Sequence, residues 1–195
     1  MTAPQSPSAP PRRRRRSRKT LVVAATLAAL SALAAVIAVV ATPGARDSKT
    51  LTAQGTAAQD RFHVDYPRGW RPLSAAELAG RVGSARAALM RTDGRGLVIV
   101  RQRGPVRDPL DQLARKLGAK LDRQIPDFRE VTSRTATIAG RQAHFYSYVR
   151  ERRGSVHSVV VVPAAGRSYV LTTVSQAGRK DVAREIGGIL TSFGL

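Results

Sequence analysis

Four successive β-strands decide the fold, and residues 129–174 contain them: REVTSRTATIAGRQAHFYSYVRERRGSVHSVVVVPAAGRSYVLTTV. β-Branched and aromatic residues, which favour strands, dominate this stretch. Gly140, Gly154 and Gly166 mark the connections between the strands. The predicted strands are Arg129–Ile138, Arg141–Arg150, Ser155–Val162 and Ser168–Val174. Because short connections that contain glycine are typical of hairpins, we expect an antiparallel meander.

Two further strands are predicted before the meander. Phe62, Val64 and Tyr66 alternate with polar residues, which is the period of a half-buried strand. A turn is expected over residues 67–70 (PRGW). A second turn over residues 93–96 (DGRG) precedes the apolar run LVIVR at 97–101, which predicts a buried strand.

Three helices accompany these strands. Ser74 and Glu77 have the spacing of a capping box, Asp108 is expected to be an N-cap with Pro109 at the first helical position, and a last helix is expected over residues 179–192. The apolar stripes are Leu78, Val82, Ala85 and Leu89; Leu110, Leu113, Leu117 and Leu121; and Val182, Ile186, Ile189, Leu190 and Phe193. Helices that cover an antiparallel sheet make the fold class α+β.

A membrane-spanning helix is predicted upstream, over Leu21–Ala41. This run of 21 residues is uncharged, and as a helix it is roughly 31 Å long, which matches a hydrocarbon core of about 30 Å. Residues 1–20 contain seven of the 33 basic residues and no acidic residue. The positive-inside rule therefore places the N-terminus in the cytoplasm and the C-terminal part outside it.

A cleaved signal peptide is the alternative, because it also has a basic start and an apolar core. Its apolar core is usually about 7–15 residues long, shorter than the run found here. A lipoprotein signal is excluded because the chain has no cysteine to acylate. The sequence thus favours an uncleaved anchor.

The chain divides into four regions on these grounds. They are a disordered basic tail (1–20), the membrane helix (21–41), a flexible linker (42–59) and an extracytoplasmic globular domain (60–195). The net charge is +20, and arginine greatly outnumbers lysine, which we interpret as the composition bias of a high-GC bacterium. Attraction to anionic lipid or wall polymer is the functional alternative, whereas nucleic acid is not expected outside the cytoplasm.

The globular region resembles the PsbP-like fold. The resemblance rests on FHVDYPRGW (62–70), the strand after the DGRG turn, the meander around GRQAHFYSYV (140–149) and the ending IGGILTSF (186–193). That fold is similar to the Ran-GTPase-binding release factor and to actinobacterial lipoproteins of the LpqN type. It implies an α/β/α sandwich and a binding or assembly factor rather than an enzyme. The membrane helix would replace the acyl anchor of the lipoproteins.

No catalytic, cofactor or metal site is predicted. The three histidines lack ligand partners at nearby positions, cysteine is absent, and neither a G-x-S-x-G elbow nor a phosphate-binding glycine loop occurs. Each histidine is interpreted as structural or solvated. A hydrolase whose site is assembled from distant residues remains the alternative, and a pocket that gathers a histidine or two carboxylates would favour it.

Two features are candidates for a binding surface. Trp70, the only tryptophan, follows a Pro-x-Gly turn and is either a core residue or an exposed binding anchor. Five arginines along the meander form either a solvated edge or a basic face: Arg141, Arg150, Arg152, Arg153 and Arg167. The expected function is a membrane-anchored, non-catalytic binding or assembly module of the envelope, with a protein or anionic-polymer partner.

Overall fold

A computed structural model describes residues 47–57 and 60–195. The predicted tail, the membrane segment Leu21–Ala41 and the first residues of the predicted linker lie outside these ranges. Within them, no helix combines the length and the apolar character needed to cross a bilayer.

Nine strands and three helices form within the described ranges. In chain order they are β1 (Lys49–Gln54), β2 (Arg61–Tyr66), β3 (Trp70–Pro72), α1 (Ala75–Val82), β4 (Ala87–Arg91), β5 (Gly96–Arg103), α2 (Leu110–Gln124), β6 (Phe128–Ile138), β7 (Arg141–Arg150), β8 (Ser155–Ala164), β9 (Arg167–Gln176) and α3 (Lys180–Thr191). The α+β class predicted from the sequence is confirmed.

Seven of the strands form one antiparallel sheet in the order β3-β4-β5-β9-β8-β7-β6. The predicted meander is β6 to β9, and its hairpins close at Ile138↔Arg141, Arg150↔Ser155 and Ala164↔Arg167. Gly140 and Gly166, in two of its turns, have φ of 68° and 67°, a left-handed conformation that favours glycine. β5 pairs with β9, so β5, β4 and β3 extend the sheet beyond the β9 edge of the meander.

The two faces of the sheet carry different helices, because side chains alternate along a strand. On one face, the buried side chains of β5, such as Val98 and Val100, belong to the main core with α3 and β2. Phe62, Tyr169 and Phe193 meet there with ring centroids 5.5–5.7 Å apart. Helices α1 and α2 cover the other face.

The first helix is shorter than its predicted stripe. Ser74 caps it as predicted, with both hydrogen bonds of the capping box present, but α1 ends at Val82. Gly83 follows with φ of 56°, and residues 87–91 then form β4. The expectation that Leu89 lies on this helix is wrong, because pairing of β4 with β5 places it in the buried sheet.

The folded region also begins earlier than expected. Residues 49–54, which the sequence analysis assigned to the linker, pair along their whole length with β2. The Thr50 hydroxyl donates to the Asp65 carboxylate at 2.6 Å, and Leu51 and Ala53 pack against the main core. Only two apolar residues alternate in this strand, too few to produce a clear strand pattern.

The second helix differs from its prediction at its start. Asp108 is not the N-cap: Pro109 occupies that position without a side-chain cap, and Asp108 accepts from the Lys116 ammonium at 2.8 Å. Pro109 has extended backbone angles, so the helix begins one residue later, at Leu110. Within α2 only Ala114 is buried, whereas the four leucines of the stripe are half-buried. Because α2 packs incompletely against the sheet, space remains between them.

Candidate functional site

A cleft of about 520 Å³ lies between α2 and the strands β6 and β7. Its polar lining comes from both sides, and its helical wall is made of small residues. The lining residues are Asp111, Ala114, Arg115, Gly118, Ala119, Glu130, Ser133, Arg134, Thr135, His144 and Tyr146. Ser133 and Thr135 are exposed on β6, the edge strand of the sheet, so the cleft opens at that edge.

His144 forms part of the cleft wall although it is 6 % exposed. Its Nε2 lies 3.0 Å from the Ser133 hydroxyl, whereas its Nδ1 is buried with no hydrogen-bond partner among the described residues. Burial lowers the pKa of His144, against the opposing effect of the Asp111 and Glu130 carboxylates. The imidazole is therefore neutral near pH 7.

Glu130 and Tyr146 supply a second polar pair. The Tyr146 hydroxyl donates to the Glu130 carboxylate at 2.8 Å. Burial, together with this carboxylate, raises the pKa of Tyr146, so its hydroxyl keeps its proton. Gly118 of α2 makes room for the pair, because a Cβ there would lie 2.9 Å from the Tyr146 oxygen.

A β-bulge brings Glu130 and Ser133 to the same face of β6. The register shifts between Glu130 and Thr132, so Glu130 pairs with Tyr148 and Ser133 pairs with Tyr146. Without the extra residue, positions three apart on a strand would point to opposite faces. The bulge thus collects the carboxylate, the hydroxyl and the imidazole in one cleft.

The chemistry available here is hydrogen-bond recognition. Ser133 and His144 are placed like two members of a nucleophilic triad, but among the described residues no carboxylate bonds to Nδ1 to orient the ring. Ser133 lies within a strand rather than on a sharp turn. The described part of the chain contains no group of three or more His, Cys, Asp or Glu residues suited to a metal ion.

Trp70 is a core residue, which corrects its placement in the candidate binding surface. It is 5 % exposed, and its indole nitrogen donates to the Glu185 carboxylate at 2.7 Å. Of the two interpretations left open by the sequence, a core residue or an exposed binding anchor, the structure supports the core residue, because a buried indole cannot anchor a partner.

The structure does not bring the five arginines of the meander together. Arg141 and Arg167 lie at one end of β7, and Arg150, Arg152 and Arg153 lie at the other end, about 30 Å away. None of the five lines the cleft. Their role as a binding surface remains a prediction.

Two of these arginines have internal partners. Arg150 binds Asp127 at 3.1 Å, and Arg167 binds Asp60 at 2.7 Å and lies over the ring of Tyr169. Such contacts hold the guanidinium groups against the protein surface. Arg141, Arg152 and Arg153 are exposed.

Sequence reasoning missed the cleft. It interpreted His144 as structural or solvated and gave no role to Ser133, Glu130 or Tyr146. One signal was present: β7 is buried on both faces, yet His144, Tyr146 and Tyr148 alternate along one of them. Polar groups that repeat on a buried face require hydrogen-bond partners, so this pattern indicates a polar environment such as the cleft.

No protein-family model matches the sequence, and a search of curated proteins found no similar sequence. Solved structures do match. The solution structure of cyanobacterial PsbP (CyanoP) from Synechocystis sp. PCC 6803 has a TM-score of 0.54 at 13% identity, and the match covers 80% of this chain and 97% of that one.

A second similar structure is LpqN, described as involved in cell envelope biogenesis of Mycobacterium tuberculosis. Its TM-score is 0.51 at 13% identity, over 75% of this chain and 90% of that one. At such identities the similarity establishes the fold alone. This similarity, together with the seven-stranded antiparallel sheet between helices, identifies the globular part of this chain as a PsbP-like fold.

Proposed function

We propose that this protein is a non-catalytic binding or assembly module of the bacterial envelope that binds its ligand in the cleft between α2 and β6–β7. In this proposal the segment Leu21–Ala41 anchors the chain, with the N-terminus in the cytoplasm and the PsbP-like domain outside. Support comes from the fold, from the basic and apolar pattern of the first 41 residues, and from the similarity to LpqN, a protein of envelope biogenesis.

The observation that carries the proposal is the polar lining of the cleft, which includes the buried side chains of His144 and Tyr146. Ser133, Glu130 and Tyr146 surround the same space with hydroxyl and carboxylate groups. The cleft therefore suits a ligand with several hydrogen-bonding groups.

Position-specific crosslinking in intact cells tests the binding site. A photoreactive amino acid is placed at Ala119, which is exposed and lines the cleft, and for comparison at Ala79, which is exposed on α1. We expect a discrete adduct from position 119 and none from position 79. Adding Thr135→Trp, a large side chain at the mouth of the cleft, should abolish the adduct. Equal labelling from both positions would contradict the proposal.

A hydrolase is the second candidate, and the Ser133–His144 contact at 3.0 Å is the observation that favours it. The cleft also gathers a histidine and two carboxylates, the groups expected of a hydrolase whose site is assembled from distant residues. A fluorophosphonate probe separates the two functions, since it labels only an activated serine. The binding proposal expects no labelling. Labelling that disappears in Ser133→Ala would establish the hydrolase instead.

Sequencing the N-terminus of the mature protein tests the anchor. The proposal expects the mature protein to retain residues 21–41 and to resist extraction from membranes with alkaline carbonate. A new terminus near Thr42 would show that the apolar segment is a signal peptide. The binding site and the anchor are thus tested separately.

A further inference from the structure

One end of the sheet gathers four turns, which we call the proximal end: residues 67–69, 92–95, 151–154 and 177–178. The antiparallel order places these turns side by side, since Trp70 pairs with Arg91 and Gly96 with Ser175. Backbone hydrogen bonds tie neighbouring turns together, from Thr92 to Gly69 at 2.8 Å and between residues 177 and 154 at 2.7 Å. The opposite end, with the turns at 139–140 and 165–166, is called the distal end.

The chain enters the domain at the proximal end. Lys49, the first residue of β1, pairs with Tyr66, which directly precedes the turn at 67–69. Only residues 42–48 separate Lys49 from Ala41, the last residue of the predicted membrane span. At most about 3.6 Å per residue, the eight steps from Ala41 to Lys49 reach no more than about 29 Å.

This reach favours contact of the proximal end with the bilayer. The sheet is about 30 Å long, because the ten residues of β7 span it in nine steps of roughly 3.3 Å each. If the distal end lay on the bilayer, Lys49 would stand about 30 Å above the surface and its tether would have to be fully extended, whereas a flexible stretch of this length has a root-mean-square span of only roughly 15 Å. The proximal end has no such limit.

The proximal end carries exposed cations that form no ion pair within the described ranges: Lys49, Arg68, Arg95, Arg152, Arg153 and Lys180. Its acidic groups are already held by other arginines, apart from the exposed Asp47 and from Asp65, which accepts from the Thr50 hydroxyl. These pairs are Asp93, Asp181 and Glu185 with Arg91, Asp127 with Arg150, Glu151 with Arg129, and Asp181 with Arg179. The proximal end therefore carries an excess of positive charge.

We propose that the proximal end docks on anionic phospholipid headgroups of the membrane that anchors the chain. The proposal rests on the anchor described under the proposed function. Two independent observations support it: the tether length, which brings this end to the bilayer, and the excess of exposed cations, which fits an anionic surface. Docking leaves the cleft accessible, because the cleft opens at the β6 edge rather than at this end.

The test uses the full chain in nanodiscs. Because the sequence has no cysteine, Thr92→Cys and Ala165→Cys each give one labelling position, at the proximal and the distal end. A fluorophore at each position is quenched by a headgroup-linked acceptor. The discs contain phosphatidylglycerol with phosphatidylcholine, or phosphatidylcholine alone. We expect strong quenching only at position 92 and only with phosphatidylglycerol, and it should fall at high salt.

Two charge-matched triple variants complete the test. Arg95→Glu, Arg152→Glu and Arg153→Glu together should weaken the contact by about tenfold or more, since each basic residue near an anionic surface raises affinity several-fold. The control reverses three exposed distal arginines, Arg103, Arg107 and Arg141, and should keep the contact. The buried Trp70 reports that each variant is folded.

The outcomes distinguish the two proposals. If alkaline carbonate extracts the protein, the anchor is wrong and the docking proposal falls with it. If the protein is anchored but positions 92 and 165 are quenched equally, the docking proposal is wrong and the anchor stands. An equal loss of contact in the proximal and distal variants would also overturn the docking proposal.

Discussion

Gly96 and Trp70 show how a single missing side chain shapes the core. The Trp70 ring lies so close to Gly96 that a Cβ at that position would stand 2.6 Å from a ring carbon. The indole nitrogen reaches Glu185 of α3, which also binds Arg91 at the end of β4. Glycine at this position therefore lets the tryptophan join β3 and β4 to the helix.

Gly96→Ala should destabilise the fold by about 1–3 kcal/mol, because the added methyl group forces the packed indole to move. Gly188→Ala is the matched control: it lies within α3, a Cβ there would meet no packed atom of the described residues within 4 Å, and it should stabilise by up to about 1 kcal/mol through helix propensity. Urea unfolding followed by Trp70 fluorescence measures both. A Gly96→Ala protein as stable as the parent would show that the indole contact is not tight.

His144 makes stability depend on pH. Burial lowers its pKa, so below about pH 6.5 the unfolded chain binds a proton that the folded state resists. Stability should fall as the pH drops from about 7 towards 5. His157, whose pKa burial also lowers, contributes in the same direction.

His144→Asn should reduce this dependence and leave the part due to His157, because asparagine does not titrate. Urea midpoints at about pH 7 and pH 5 for both proteins check the expectation. An unchanged pH dependence in His144→Asn would assign the effect to other groups.

Helix α1 shows how far local signals determine an element. The Ser74–Glu77 capping box was predicted and is present, and Glu77 is also bound by Arg71 at 2.7 Å. Hydrogen bonds from Arg71 and from the Ser74 backbone lower the pKa of Glu77 to about 2. The start of the helix is therefore fixed by residues within one turn of it.

Ser74→Ala should cost about 1 kcal/mol, because it removes the hydroxyl that accepts from the Glu77 backbone. Ser84→Ala is the control: Ser84 is exposed in the loop after α1 and should change stability little. Urea unfolding monitored by Trp70 fluorescence compares the two variants. Equal effects would mean that α1 frays without cost to the fold.

Elements set by distant contacts were harder to predict. The meander was recognised because each hairpin combines strand formers with a glycine turn nearby. β4 was missed because residues 85–91 continue a helical stripe, and only their pairing with β5 makes them a strand. The cleft depends on a bulge in β6 and on the incomplete packing of α2 against the sheet. Neither feature produces a recognisable pattern in the sequence.

At the scale of the whole molecule, the proposed binding site and the proposed membrane contact lie on different parts of the domain. The cleft opens at the lateral β6 edge, whereas the chain enters at the proximal end. The predicted tether of residues 42–59 is shortened by β1, which uses residues 49–54. Because of that strand the predicted linker is shorter than the sequence indicates, and the orientation proposed for the domain depends on this change.

Lengthening the tether therefore tests the orientation. Inserting about twenty Gly and Ser residues between Ala45 and Arg46 increases the root-mean-square span from roughly 15 Å to roughly 29 Å. The effective concentration of the proximal end at the bilayer should then fall about sevenfold, and quenching at Thr92→Cys should weaken accordingly.

Replacing residues 42–46 with five Gly and Ser residues keeps the reach and should preserve the contact. This control separates tether length from tether sequence. If the long insertion left quenching at position 92 unchanged, the charges of the proximal end would suffice without the short tether. A loss in both variants would instead assign the contact to residues 42–46 themselves. Only a loss confined to the insertion supports an orientation in which β1 brings the proximal end to the membrane.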